Sequence, residues 1–258
     1  MTPMHLSAEL FALLFTVGLF AGFVDSIAGG GGLISLPVLL TVGLPPQLAL
    51  GTNKLQGSFG AFSAAFNYIH KGRTPLRKLM PGVLFTFCGA LLGAWAIQQL
   101  NPSFLNRLIP ILLLVVFIYT LMSRRLGFER REAIMPAGLF YLLGGLGLGF
   151  YDGFFGPGTG SFWTAGLLVF LGLDMTTATG NTKVMNFTSN IVALGVFLVG
   201  GNVLFSVGLC MAAGQFIGAR IGSNMAIKNG ARFIRPFFLT VVLLTLVRVV
   251  YVNFMVSH

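Results

Sequence analysis

A chain of 258 residues that is 55% hydrophobic and only 9% charged lacks the charge to cover a water-facing surface, since soluble domains carry about 25%. Its net charge of +10 is gathered in short blocks separated by uncharged loops. That pattern argues against a nucleic-acid partner and for a chain threaded through a bilayer with its basic loops on one side.

The opening, MTPMHLSAELFALLF, has no basic leader region, and its apolar segment is expected to stay as a helix. That segment runs into GFVDSIAGGGG (22–32), where an aspartate and four consecutive glycines interrupt it. From Gly32 to Gly43 is 11 residues, about 16 Å of helix and about half of a hydrocarbon core of roughly 30 Å. After an LPPQ turn a long helix over 47–69 carries Thr52, Asn53 and Lys54, with Lys54 about 12–15 Å deep. The basic loop HKGRTPLRK (70–78), a span over 79–97, the uncharged QQLNPSF (98–104), a span over 104–122 and the basic RRLGFERRE (124–132) follow. A segment beginning near 134 leads to GFYDGFFGPGT (149–159) and a short apolar piece at 161–171. Then come a helix over 175–199 bearing Asn181, Thr182 and Lys183, the uncharged VGGNV (199–203), a span over 204–221, a basic linker (223–235) and a last span over 236–254.

The order of these pieces is a repeat. Asp25 aligns with Asp152, ALGTNKL (49–55) with ATGNTKV (178–184), and FCGALLGAWA (87–96) resembles MAAGQFIGAR (211–220). Matching loops carry opposite charge character, so they are expected to face opposite sides. The fold class expected is an all-α polytopic membrane protein with two homologous halves (1–126 and 127–258) in inverted topology, its helices broken at the Gly-rich motifs. With the basic loops cytoplasmic and touching anionic lipid, both termini fall on the periplasmic side of a bacterial cytoplasmic (inner) membrane.

Glycine permits tight breaks, and a break in hydrocarbon is tolerable only where protein or water satisfies its polar groups. A helix that starts at such a break presents N–H groups and the positive end of its dipole, which favours an anion. The residues expected to bind a small anionic solute are Gly31, Gly32, Thr52, Asn53 and Lys54 in the first half. Gly158, Thr159, Gly160, Asn181 and Lys183 are their counterparts in the second. Asp25 and Asp152 either couple protons or form ion pairs that hold the broken helices. Small residues also let membrane helices pack closely; the repeated coupling of glycine run, Asp and Lys is what favours a site. Trp95 and Trp163 are candidate interfacial anchors, although Trp163 follows the Gly motif closely enough to line the cavity instead. No Ser-His-Asp, paired-Cys or HExxH arrangement appears, and the three histidines are scattered, so neither an enzyme, a metal site nor a cofactor is expected.

The stretch GLFAGFVDSIAGGGGLISLPVLLTVGLPPQLALGTNK (18–54), with its repeat GLGLGFYDGFFGPGTGSFWT…ATGNTK, closely resembles the TauE/SafE sulfite exporter family, also called the toluene sulfonate uptake permeases. The resemblance covers nearly the whole chain. It implies secondary transport of small anions such as sulfonates, sulfite-like oxyanions or carboxylates, by alternating access around a midplane site. An anion channel and a non-transporting membrane scaffold or assembly protein stay open as alternatives, as does a homo-oligomer. The resemblance makes Asp25, Gly29, Gly30, Gly31, Gly32, Pro37, Gly51, Thr52, Asn53 and Lys54 one motif. The second comprises Asp152, Gly156, Pro157, Gly158, Gly160, Gly180, Asn181 and Lys183. Gly30 stands opposite Pro157, and Pro37 has no proline counterpart, so the two sites are not equivalent.

Overall fold

In the computed structural model, residues 7–122 and 132–230 are described, and these fold into α-helices joined by short loops. The helices are α1 (Ala8–Ala28), α2 (Gly31–Thr41), α3 (Pro46–His70), α4 (Leu76–Gln98), α5 (Pro102–Met122), α6 (Ala137–Phe154), α7 (Thr159–Phe170), α8 (Met175–Val199) and α9 (Phe205–Asn229). The expected span at 236–254, most of the basic loop at 124–132 and both chain termini lie outside the described residues.

Local chemistry sets the helix ends. Ser7 caps α1 by accepting from the Leu10 N–H at 3.2 Å, and Asp174 caps α8 by accepting from the Thr177 N–H at 2.9 Å, each satisfying a donor that the helix leaves free. Pro46 opens α3 at the first helical position, where a missing N–H costs nothing. At Gly29 the chain turns left-handed, with φ 79°. A glycine there avoids the roughly 1–2 kcal/mol that a side chain would incur, and α1 ends.

The expected breaks are present at both glycine motifs. α2 has 11 residues and α7 has 12, lengths of about 16–18 Å, too short to cross a bilayer. Each folds back along the helix before it: Gly31 lies against Ala21 and Asp25 of α1, and Gly166 against Phe140 of α6. Two apolar clusters seat these short helices. Leu36 and Leu39 of α2 pack with Leu105 and Ile109 of α5 and with Phe197 of α8. Trp163 and Leu167 of α7 pack with Phe140, Tyr141, Tyr68 and Leu79. Trp163 is therefore fully buried, edge-on to Phe140 at 5.9 Å. It is not the interfacial anchor its amphipathic ring suggested; Trp95, 60% exposed, retains that reading.

Two further contacts build the frame. Gly18 and Gly22 of α1 lie on the backbone of Met211 and Gln215 in α9, while Gly214 and Gly218 of α9 lie on Phe15 and Leu19. In the same manner Gly89 and Gly93 of α4 lie on Leu146 and Phe150 of α6, and Gly149 and Gly153 of α6 on Thr86 and Ala90. At each of these positions a Cβ would overlap backbone, so glycine allows an approach that dispersion and close packing then reward. The glycine register pairs Gly89 and Gly93 with Gly214 and Gly218, one residue away from an ungapped match of 87–96 with 211–220.

Among the described residues, four helices (α1, α4, α8 and α9) are long and apolar enough to cross a membrane. Phe20, Phe66, Leu84 and Leu143 project from the outer surface, a face suited to lipid rather than water. The chain is an all-α polytopic membrane protein.

Candidate functional site

The two breaks meet. A Cβ at Gly29 would overlap the backbone of Gly160 and Ser161, and a Cβ at Gly32 would come within 3.2 Å of Pro157 Cα. Ser161 Oγ donates to the carbonyl of Ala28 at 3.1 Å, tying the start of α7 to the end of α1. Around this junction lies a polar cavity of about 30 Å3 lined by Asp25, Gly32, Ser35, Asn53, Lys54, Asp152, Gly158, Gly160, Asn186, Asn190 and Gln215, with Gly29, Gly57 and Gly156. The cavity is small and partly open rather than sealed.

The four charged side chains pair across the halves. Lys54 Nζ of α3 donates to Asp152 Oδ1 of α6 at 2.7 Å and to the Asp152 backbone carbonyl. Lys183 Nζ of α8 donates to Asp25 Oδ2 of α1 at 3.1 Å and to the Asp25 carbonyl. Ser189 Oγ donates to the second oxygen of Asp152, and the Gly31 N–H reaches Asp25 Oδ1 at 3.3 Å. Each aspartate stands in the last turn of the helix that its motif breaks. Each lysine therefore neutralises a carboxylate and the negative end of a helix dipole together. The first pair is the deeper, with side-chain exposures of 1% and 3% against 1% and 15% for the second.

The positive helix ends are treated differently. Neither Gly30 at the start of α2 nor Gly158 at the start of α7 offers a capping side chain, and Gly32 and Gly160 in the two first turns line the cavity. Two lysines and two aspartates cancel in charge, and the start of α2 is itself met by the Asp25 carboxylate through the Gly31 N–H, whereas the start of α7 has no side-chain cap. Amide groups complete its wall. Asn190 Nδ2 donates to the Asn186 carbonyl at 2.6 Å, and the Asn186 and Gln215 side-chain oxygens are buried with no partner. Among the described residues no group of three or more His, Cys, Asp or Glu is clustered for a metal ion.

Residues 14–249 match the family described as Sulfite exporter TauE/SafE. The chain belongs to this family. A "Probable membrane transporter protein" of Haemophilus influenzae is 42% identical over 248 residues, covering 96% of this chain and 97% of that protein. "Probable membrane transporter protein ORF9" of a Sinorhizobium species is 42% identical over 236 residues, covering 92% and 90%. "Probable membrane transporter protein YfcA" of Escherichia coli K12 is 40% identical over 235 residues, covering 91% and 87%. No solved structure matches the chain.

Within this TauE/SafE chain the residues expected from sequence divide into two groups. Asp25, Gly32, Asn53, Lys54, Asp152, Gly158 and Gly160 line the cavity; Asn53 accepts there from Ser35 Oγ at 2.6 Å and from Gln56 Nε2 at 2.7 Å. The others stand behind it. Gly31 bonds to Asp25 and Lys183 holds Asp25 from outside the lining. Thr159 Oγ1 donates within its own turn to the Gly156 carbonyl at 2.6 Å. Thr52 Oγ1 accepts from the Leu204 N–H at 3.0 Å and so fastens the α8–α9 loop. Asn181 is buried away from the cavity, its oxygen unpartnered. Reading by motif missed Ser35, Asn186, Asn190 and Gln215. Asn186 and Asn190 were within reach, because they follow Lys183 by three and seven residues and share its helix face. Nothing local distinguishes Gln215; only the contact of α9 with α1 and α3 carries it to the cavity.

Proposed function

We propose that the chain is a secondary transporter of a small anion in a bacterial cytoplasmic membrane, working by alternating access around the cavity where the two helix breaks meet. The observation that carries the reading is electrostatic. Both lysines are committed to aspartates and to carbonyl ends of helices, whereas the N-terminal turns of α2 and α7 face the cavity beside Asn186, Asn190 and Gln215. Donors without an unpaired cation suit a singly charged oxyanion headgroup that must also be released. The small size of the cavity, about 30 Å3, favours a carrier over a channel, since a channel needs a continuous water path. Asp25 is the carboxylate closer to water, with 15% side-chain exposure against 3% for Asp152, and it is the candidate for proton coupling. The reciprocal contacts of α1 with α9 and of α6 with α4 support two inverted halves.

The family's name supplies sulfite as the first solute to test. In proteoliposomes, uptake of sulfite, short sulfonates and small carboxylates is measured with and without a pH gradient. At least one should show saturable, protein-dependent flux. Flux that never saturates would favour a channel, and no solute-dependent flux from the whole panel would leave the scaffold reading standing.

A further inference from the structure

The cavity continues into a helix interface that is richer in polar side chains than its counterpart. On α3, Gln56, Gly60, Ser63 and Asn67 recur at helical spacing and form one stripe against α9. The Gln215 side chain lies over Gly60, Ser63 Oγ donates to the Phe216 carbonyl at 2.9 Å, and Asn67 Nδ2 donates to Ser223 Oγ at 2.8 Å and Asn224 Oδ1 at 3.0 Å. Gln56, Ser63, Asn67, Gln215 and Ser223 are all buried. From Gln56 to Asn67 is 11 residues, about 16 Å, which leads from the cavity to the end where Lys71, Arg73 and Lys228 are exposed.

Polar side chains between membrane helices often serve as glue, but glue has partners. Here the side-chain oxygens of Gln56, Asn67 and Gln215 are buried without one, a condition that costs stability and calls for a reason. The matching interface carries fewer such groups, although Gly60 falls there on the buried Ser189 and Gln98 of α4 donates to the Val196 carbonyl at 3.0 Å. With Lys54 set on Lys183, the positions of Gln56, Ser63 and Asn67 become Met185, Val192 and Val196, and Thr86 of α4 meets the Met185 sulfur there.

We propose that the α3–α9 seam, from Gln215 at the cavity to Asn67 and Asn224 at its far end, is the route by which the solute passes between the cavity and the basic-loop face. The inference rests on the transporter reading above. The spare oxygens are hydrated when the helices part, and the exposed lysines and arginine at the mouth draw anions toward it.

Thiol labelling tests the route without knowing the solute. Ser63→Cys, Asn67→Cys and, at the matching interface, Thr86→Cys are made singly in a chain whose Cys88 and Cys210 are replaced by serine. Membrane vesicles of each orientation are exposed to a small anionic methanethiosulfonate reagent. Ser63→Cys and Asn67→Cys should react about tenfold or more faster than Thr86→Cys, as local opening governs access to buried sites, and only from the basic-loop face. Equal, slow labelling at all three positions overturns the route even where anion flux is normal. Rapid labelling with no flux of sulfite or any other anion tested instead upholds a seam that opens to water and removes the transport reading. If a cysteine variant fails to fold, Ser63→Val decides: a sealed route loses about tenfold or more of sulfite flux at unchanged thermal stability, whereas mere glue loses stability and keeps its flux.

Discussion

A double-mutant cycle on Lys54 and Asp152 tests the crossed pairing directly. The pair spans α3 and α6 at 2.7 Å with both side chains almost wholly buried. Lys54→Met strands the Asp152 carboxylate with Ser189 as its remaining side-chain donor, and removing one partner of a buried pair costs about 3–5 kcal/mol. Asp152→Asn strands the ammonium in the same way. Removing both charges together leaves neither uncompensated, and replacement of a buried pair by neutral groups is often close to neutral. The cycle should therefore show a coupling of at least about 2 kcal/mol. The control is the combination within one half, Lys54→Met with Asp25→Asn, whose coupling should be smaller by at least about 1 kcal/mol because Lys54 Nζ bonds to Asp152 and not to Asp25. Unfolding in mixed micelles, followed by loss of helical circular dichroism, supplies the free energies. A within-half coupling as large as the crossed one would refute the arrangement.

Other consequences follow from the same geometry. Gly29→Ala places a Cβ at φ 79° against the Gly160 backbone and should lower the yield of folded protein sharply in thermal-unfolding assays, well beyond the roughly 1–2 kcal/mol of left-handed strain alone. Ser189→Ala removes a donor from the buried Asp152 and should cost about 1–3 kcal/mol in the same unfolding assay. Asn186→Leu should reduce anion flux about tenfold or more while leaving the melting temperature near its starting value, because its oxygen has no partner to lose. Asp25→Asn, at the more open of the two pairs, should flatten the dependence of flux on an imposed pH gradient, with Asp152→Asn affecting folding instead; an unchanged gradient response in Asp25→Asn removes the proton role.

Much of the architecture was readable in the chain because the bilayer leaves few choices. Backbone polar groups in hydrocarbon must be satisfied within helices. Segment lengths and the glycine punctuation at 29–32 and 156–160 therefore mark α2 and α7 as half-length helices. The coupling of Asp25 and Asp152 to glycine runs, and of Lys54 and Lys183 to a Thr/Asn neighbour, marked the charged residues as a set.

The sequence by itself determined the class of fold, the broken helices and the four charges at the breaks, since these follow from local rules of length, glycine conformation and the cost of charge in lipid. Tertiary structure decided which aspartate each lysine holds, that Trp163 is core rather than anchor, and that Gln215 reaches the cavity while Thr52, Asn181 and Lys183 stand behind it. Those outcomes depend on how α1 lies on α9 and α4 on α6, contacts between residues up to about two hundred positions apart. Helix periodicity fixes only which side chains share a face; the rotation and neighbour of that face are set by packing.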